Sequence, residues 1–299
     1  MTNGLHAGNL VILAARPSIG KSTLAMNIVE NIAIKEKAVC AFFALEMTKE
    51  ELAQRVMCSV GGVSNQSALK GKLEDEDWQR LWQAQKILND TRIYVDDTSM
   101  TTCAEILSKC RRLKSREGKL DLVVVDHIQL MNAIKSSDSR QQEITEISRG
   151  LKMIAKELDI PVIALSQLSR QVTGRKGQKP VLSDLRESGA IEQDADIVMF
   201  IHRPDLAAEE KELEQGKVKK NVAQIIIAKN RAGECGEFDL LFQGEKSKFI
   251  NPPASYINDI AAPPEKGRGG LKRISDSEVP PEPQEEAPFE GGDEIGDIF

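Results

Sequence analysis

The sequence predicts an α/β protein built on a doubly wound, mostly parallel sheet that is flanked by helices. Two observations lead to this prediction. Short apolar runs alternate with longer amphipathic segments from residue 9 to residue 250. The runs are also nearly continuous in apolar residues, as expected for parallel strands covered on both faces. The candidate strands are residues 10–15, 39–45, 92–95, 120–125, 161–165, 197–201 and 222–228.

The segments between these strands have the spacing of amphipathic helices. Thr102 and Glu105 have the sequence of a capping box, which predicts a helix that begins after residue 97. We expect residues 237–242 and 246–250 to form an antiparallel hairpin at the edge of the sheet. The clearest helical face carries five apolar residues, Ile144, Ile147, Leu151, Ile154 and Leu158.

The last 49 residues differ from the rest of the chain. They contain eleven acidic and four basic side chains, eight of the twelve prolines and six of the 21 glycines. Such a composition is typical of disorder. Residues 1–250 retain 36 basic and 35 acidic side chains, so any nucleic-acid surface must be a local patch. We therefore predict one domain over residues 1–251 and a disordered acidic tail over residues 252–299.

Composition also narrows the class of protein. The longest apolar runs are far shorter than the ~20 residues that cross a bilayer, and no secretion signal is visible at the N-terminus. The five cysteines form no Cys-x-x-Cys pair, and the three histidines are scattered. Cys103 and Cys110 fall on the apolar face of a predicted helix, which favours buried thiols over disulfides or zinc. We expect a soluble cytoplasmic protein.

The strongest chemical signal is the segment Ala-Arg-Pro-Ser-Ile-Gly-Lys-Ser at residues 15–22, between an apolar strand and a predicted helix over residues 23–34. A phosphate-binding loop needs backbone N–H groups at a helix N-terminus, a lysine for the β- and γ-phosphates and a hydroxyl for Mg²⁺. The alternative is a chance Gly-Lys-Ser, since Ala15 replaces the usual first glycine. Including one carboxylate discussed below, the predicted ATP and Mg²⁺ site is Ala15, Arg16, Pro17, Ser18, Ile19, Gly20, Lys21, Ser22, Thr23 and Asp126.

Three polar residues end other predicted strands. Asp126 follows Leu-Asp-Leu-Val-Val-Val, where a Walker B carboxylate would bind Mg²⁺ together with Ser22. Glu46 could orient and deprotonate the water that attacks the γ-phosphate, or could be an acid at a helix N-cap. Gln167 could sense the γ-phosphate, or could be an ordinary polar strand end.

Seven segments lie along residues 2–250 in a fixed order: TNGL (2–5), AARPSIGKS (14–22), LEM (45–47), DHIQLM (126–131), LSQLSR (165–170), SDLRESGAIEQDAD (183–196) and KNR (229–231). In sequence and order they resemble the C-terminal, RecA-like ATPase domain of DnaB-type replicative DNA helicases. The 183–196 segment is the most specific, because generic RecA-like ATPases lack it. His127 stands where that family usually has tyrosine.

The resemblance implies roles for single residues. Beside the phosphate lysine Lys21, it makes Glu46 the catalytic base and Gln167 the γ-phosphate sensor. Lys229 and Arg231 become a basic finger that reaches the nucleotide of a neighbouring subunit. Without the resemblance, the Lys-Asn-Arg turn is more simply interpreted as a solvated turn after a strand.

The resemblance also implies loops that bind the DNA backbone inside a ring. Residues 170–180 contain four basic and no acidic side chains, although a flexible surface loop explains that composition equally well. A protein that contacts only the DNA backbone would bind regardless of base sequence, and its affinity would fall as the salt concentration rises. The predicted DNA-binding residues are Arg170, Arg175, Lys176, Arg186, Glu187 and Gly189.

The expected protein is a homo-hexameric helicase motor that moves 5′-to-3′ on single-stranded DNA and unwinds replication forks with ATP and Mg²⁺. Its expected partners are a helicase loader and other replisome proteins. Two alternatives remain: a RecA- or RadA-like DNA-dependent ATPase without unwinding, and an assembly-deficient helicase fragment that acts as a binding module. In this family an N-terminal helical domain stabilises the hexamer and helps to dock primase. The sequence begins at the first motor strand, so we expect unaided ring assembly and primase recruitment to be weakened. The tail's end, residues 292–299, loosely resembles the acidic, Phe-ending tip of bacterial single-strand-binding proteins, with a solubilising tail as the alternative.

Overall fold

The computed structural model describes residues 1–133, 139–168, 179–206, 208 and 218–253, without the side chains of residues 186–190. In this part of the chain, nine strands form one sheet in the order β3-β2-β4-β5-β1-β6-β7-β8-β9. The strands are β1 Leu10–Ala15, β2 Val39–Ala44, β3 Arg92–Asp96, β4 Leu122–Asp126, β5 Val162–Gln167, β6 Ile197–His202, β7 Val222–Asn230, β8 Gly236–Gln243 and β9 Lys248–Ile250.

The α-helices are α1 Lys21–Lys35, α2 Lys49–Gly61, α3 Asn65–Leu69, α4 Asp75–Asn89, α5 Cys103–Glu117, α6 Arg140–Leu158 and α7 Gly189–Asp194. Short 3₁₀ segments cover Ile128–Leu130, Leu182–Ser188, Pro204–Leu206 and Gly244–Lys246. None of the helices described here has the length and apolar character that crossing a membrane requires.

The sheet is parallel from β3 to β6 and antiparallel from β6 to β9. The predicted mostly parallel sheet and its C-terminal hairpin, β8 and β9, are confirmed. The prediction that residues 222–228 form a parallel strand was wrong, because β7 runs antiparallel to both of its neighbours. An apolar run such as Ile225–Ile227 looks the same in either arrangement, so apolar content alone could not give its direction.

The core lies in two layers, one on each face of the sheet. One layer contains the buried side of α6, where the five predicted residues Ile144 to Leu158 are all buried, together with Cys110 of α5. The other layer is built around α1 and α2. The capping box is present: Glu105 N donates to Thr102 Oγ1, and Thr102 N donates to the Glu105 carboxylate. Because β1 to β6 run parallel, their carboxyl ends lie at one edge of the sheet, which we call the carboxyl edge.

Candidate nucleotide-binding site

The predicted phosphate-binding loop connects β1 to α1. Gly20 has a φ of 108°, a left-handed conformation that glycine adopts without strain, and α1 begins directly after it at Lys21. A Cβ atom on Gly20 would also lie 3.0 Å from Cζ of Phe249. Both the backbone and the neighbouring ring therefore favour glycine at this position. The loop places the N-terminus of α1 at the carboxyl edge, where a phosphate is favourably bound.

The Lys21 ammonium and the Asp126 carboxylate meet at this edge. Lys21 Nζ lies 3.2 Å from Asp126 Oδ1, and both side chains are buried. The contact lacks hydrogen-bond geometry, and Asp126 Oδ1 accepts no hydrogen bond from the described residues. A buried carboxylate oxygen with an unused lone pair is a suitable Mg²⁺ ligand. Asp126, and the hydroxyl of Ser22 next to Lys21 in α1, therefore fit the metal that the sequence predicts.

A cleft of about 470 Å³ opens beside the loop. Most of the predicted nucleotide site lines it, together with Glu46 and Gln167. Two predicted residues do not line it: Ile19 packs into the core behind the loop, and Asp126 is buried beneath Lys21. Four further residues line the cleft and were not predicted from the sequence: Met47, Arg55, Phe242 and Ser247.

Glu46 follows β2 and reaches the cleft with a half-exposed carboxylate. It does not cap α2, because Thr48 is the N-cap and accepts a hydrogen bond from Glu51 N. Glu46 Oε2 instead lies 3.6 Å from Nε2 of the buried His127. Burial, and next the charge of Lys21, lowers the pKa of His127 below its ordinary value.

Gln129 joins the ends of β4 and β5, a role that sequence reasoning missed. Its side-chain amide bonds to the backbone N–H and C=O of Gln167 and to the Ser166 hydroxyl. The Arg140 guanidinium in turn donates to Gln129 O over 2.8 Å. The backbone of Gln167 is thus fixed, while its side chain stays exposed at the cleft. The only sequence signal was the position of Gln129 three residues after Asp126.

Arg203 and Phe242 form a second feature that the sequence analysis missed. The Arg203 guanidinium stacks over the Phe242 ring at 4.7 Å and is held by the Asp205 carboxylate. Phe242 lines the cleft beside the phosphate-binding loop, and the buried Arg203 supports its ring. Arg203 follows β6 and Phe242 lies in β8, so only the folded chain brings them together.

Lys229 and Arg231 lie at the opposite edge of the sheet. Arg231 N donates to Asp196 O, and Asp196 N donates to Leu10 O at the start of β1. The six residues of β1 separate this point from the phosphate-binding loop by about 20 Å. Lys229 Nζ donates to Glu192 O, and burial, followed by Arg231, lowers the pKa of Lys229. Neither cation is close to the loop of its own chain.

The predicted DNA-binding residues fall in two places. Arg170, Arg175 and Lys176 lie outside the described residues. Arg186 and Glu187 belong to the 3₁₀ segment Leu182–Ser188, and Gly189 begins α7. Their side chains are not described, so their contact with DNA stays a prediction.

The sheet order and the loop after β1 define a nucleotide-binding domain of the RecA-like class. Residues 1–251 match the family model of the DnaB-like helicase C terminal domain, and the chain belongs to this family. It is 46% identical over 265 residues to the replicative DNA helicase DnaC of Bacillus subtilis, covering 88% of this chain and 57% of that protein. It is also 46% identical over 252 residues to the replicative DNA helicase DnaB of Geobacillus stearothermophilus, covering 84% and 54%. The chain thus spans about half the length of these relatives.

Two solved structures share the fold at a TM-score of 0.78 and 39% identity, each covering 84% of this chain. One is a DnaB-like replicative helicase that was studied with its interactions with primase, and the match covers 59% of that chain. The other is an ATPase domain, of which the match covers 87%. The RecA-like fold and the DnaB-type family predicted from the motifs are confirmed.

Proposed function

We propose that this chain is the ATP-hydrolysing motor of a replicative DNA helicase. In this proposal it forms a homo-hexameric ring that moves 5′-to-3′ on single-stranded DNA and unwinds the duplex at replication forks. The single observation that supports it best is the buried Lys21–Asp126 pair at the carboxyl edge, with the Glu46 carboxylate in the adjoining cleft. Relatives that are named replicative DNA helicases support DNA as the substrate.

The residues at the carboxyl edge suit phosphoryl transfer to water. Ser22 and Asp126 would hold Mg²⁺, which supplies positive charge to the β- and γ-phosphate oxygens. Lys21 neutralises the same oxygens from the N-terminus of α1. Glu46 accepts the proton of the attacking water, and the exposed amide of Gln167 donates to the γ-phosphate.

The position of the finger residues supports an oligomer. Lys229 and Arg231 lie about 20 Å from the loop of their own chain, so they can stabilise a transferring phosphoryl group only in a second copy. Each active site would then lie between two subunits, as a closed ring requires. On this basis Lys21, Glu46 and Gln167 act in cis, and Lys229 and Arg231 act in trans.

The partners follow from the family rather than from described contacts. We infer single-stranded DNA and replication forks as the substrate, with backbone contacts from Arg170, Arg175, Lys176, Arg186, Glu187 and Gly189. A helicase loader and other replisome proteins would act with the motor in a cytoplasmic replisome of bacterial or phage origin. Phe242, with the buried Arg203 stacked on its ring, would hold the nucleotide base.

The test is ATP-dependent unwinding of a forked DNA that carries a 5′ single-stranded tail. The wild-type chain should unwind it with ATP and Mg²⁺, and Lys21→Ala should not. Unwinding from a 3′ tail alone would overturn the proposed direction. DNA-stimulated ATP hydrolysis without unwinding would favour the RecA- or RadA-like alternative. Nucleotide binding without hydrolysis or ring formation would favour a fragment that acts as a binding module.

A further inference from the structure

The side-chain amide of Gln129 has one possible orientation. Gln167 N lies 3.1 Å from Gln129 Oε1, and Gln129 Nε2 lies 3.1 Å from Gln167 O and 3.0 Å from Ser166 Oγ. A backbone N–H only donates and a backbone C=O only accepts, so exchanging the amide oxygen and nitrogen would break both bonds. Gln129 Oε1 is therefore an acceptor at a fixed position.

This fixed acceptor determines the tautomer of His127. Nδ1 of His127 lies 3.0 Å from Gln129 Oε1. Because Oε1 can only accept, Nδ1 must carry a hydrogen, so in an imidazole with a single hydrogen Nε2 carries a lone pair. Gln129 thus acts as a positioning residue for His127.

The lone pair of His127 Nε2 faces the carboxylate of Glu46. Nε2 and Glu46 Oε2 are 3.6 Å apart, too far for a direct hydrogen bond, as expected for two acceptors. Two acceptors at this separation can each accept one hydrogen of the same water molecule. Glu46 lines the cleft beside the phosphate-binding loop, so a water held here would lie on the phosphate side of the sheet.

We propose that His127 is a second water-binding residue in catalysis, which holds the attacking water together with Glu46. The inference rests on the proposed ATP hydrolysis. The water donates one hydrogen to Nε2 of His127 and the other to Glu46. As the water oxygen bonds to the γ-phosphorus, Glu46 takes the proton and the bond to the ADP oxygen breaks with its electron pair. His127 sets the direction of the oxygen lone pair and takes no proton itself.

The first test compares kcat with nucleotide affinity in the full chain. His127→Phe keeps a ring of similar size but removes the acceptor, so kcat should fall roughly ten- to hundredfold through loss of water orientation. The Kd of a non-hydrolysable ATP analogue with Mg²⁺ should change less than twofold. His6→Phe, at an exposed position, is the control and should retain wild-type kcat. If His127→Phe retains wild-type kcat while Glu46→Gln is inactive, the role of His127 is wrong but the proposed function stands.

Two amide variants test the two nitrogens of the His127 imidazole separately. His127→Asn places an amide near the Nδ1 position, where it can bond Gln129 but cannot reach the water. His127→Gln places an amide oxygen near the Nε2 position, where it can accept from the water. We expect the Gln variant to recover a large part of kcat and the Asn variant to behave like Phe. Recovery by Asn alone would show that His127 acts only through Gln129, which would overturn the proposal.

The tautomer can be measured without any turnover. Nitrogen-15 NMR distinguishes a ring nitrogen that carries hydrogen from one that does not, and the chain has only three histidines to assign. We expect hydrogen on Nδ1 of His127 in the wild type and a shift of the population toward Nε2–H in Gln129→Met. Hydrogen on Nε2 in the wild type would overturn the proposal whether or not the chain hydrolyses ATP. Loss of activity in the wild type itself would instead count against the proposed function.

Discussion

Arg231 Nη1 lies 3.4 Å from Oδ1 of Asp196, but Arg231 is not the only partner of this carboxylate among the described residues. The other oxygen of Asp196 accepts from Leu10 N over 2.8 Å and from the Lys152 ammonium. Arg231 is half exposed and also donates to Gln193 O at the end of α7. If Arg231 turned toward a neighbouring subunit, the buried carboxylate would keep a cation and a backbone donor. The cost of releasing the finger is therefore small.

Arg231→Ala should leave nucleotide binding nearly intact and abolish hydrolysis, because the guanidinium acts on the nucleotide of the next subunit. The measurement is ATP turnover and analogue binding of this variant. Mixing Arg231→Ala with Lys21→Ala chains gives a sharper test. A site is complete when an Arg231→Ala chain supplies the phosphate-binding loop and a Lys21→Ala chain supplies the finger. Mixed rings should therefore regain part of the activity. A mixture as inactive as its components would argue against action in trans.

Lys21→Ala should abolish turnover, because it removes the cation at the first position of α1, beside Asp126. It should also lower the melting temperature, because buried Asp126 loses its nearest cation. The matched control is Lys35→Ala in the exposed last turn of the same helix. ATP turnover is measured as the release of inorganic phosphate, and unfolding is monitored by circular dichroism. A Lys21→Ala chain that turns over ATP normally would refute the assigned phosphate lysine.

The sequence was informative where chemistry is local. The loop before Lys21 and the polar ends at Glu46, Asp126 and Gln167 could be located because each follows an apolar run directly. Parallel strands place such ends on one edge, so their proximity could also be expected. The residue roles were read from the family and stay predictions.

Other parts of the site depend on the tertiary fold. Arg203 and Phe242 meet only because β6, β7 and β8 are successive antiparallel neighbours, and the direction of β7 could not be read from its apolar run. The same strand direction carries Lys229 and Arg231 away from their own loop. The bond from Gln129 to Gln167 joins residues that are 38 positions apart. Spacing along the chain gives no signal for such contacts.

Phe242→Ala should raise the KM for ATP about tenfold with little change in kcat, because base stacking on an aromatic ring contributes about 1–3 kcal/mol. The measurement is steady-state ATP hydrolysis. Phe238→Ala is the matched control, since Phe238 lies in the same strand and is exposed.

Phe242 also packs on Phe249, with ring centroids 4.7 Å apart, so lost packing must be separated from lost stacking. Inorganic triphosphate has no base and should inhibit wild type and Phe242→Ala equally well. Weaker inhibition of the variant would mean that the mutation disturbs the phosphate-binding loop, and the base-stacking role would be rejected.

A buried carboxyl group lies behind the same loop. Burial raises the pKa of Glu30 in α1 from 4.5 to about 7, although Ser59, Lys248 and Asn27 lower it. Ser59 Oγ donates to Glu30 Oε2 over 2.8 Å, and Asn27 accepts from Phe249 N. These contacts join α1, α2 and β9. Since the folded state holds the proton more tightly, the contribution of Glu30 to stability falls as pH rises from about 4.5 to about 7.

Glu30→Gln should remove this pH dependence, because a glutamine has no proton to lose. The free energy of unfolding of the wild type should fall relative to that of the variant by about 2–3 kcal/mol between pH 5 and pH 8. The measurement is urea unfolding at each pH, and only the difference between the two proteins is used, so that other titrating groups cancel. Glu36→Gln, exposed just beyond the same helix, should track the wild type at every pH. A constant difference between wild type and Glu30→Gln would show that Glu30 is already ionised at pH 5, despite its burial.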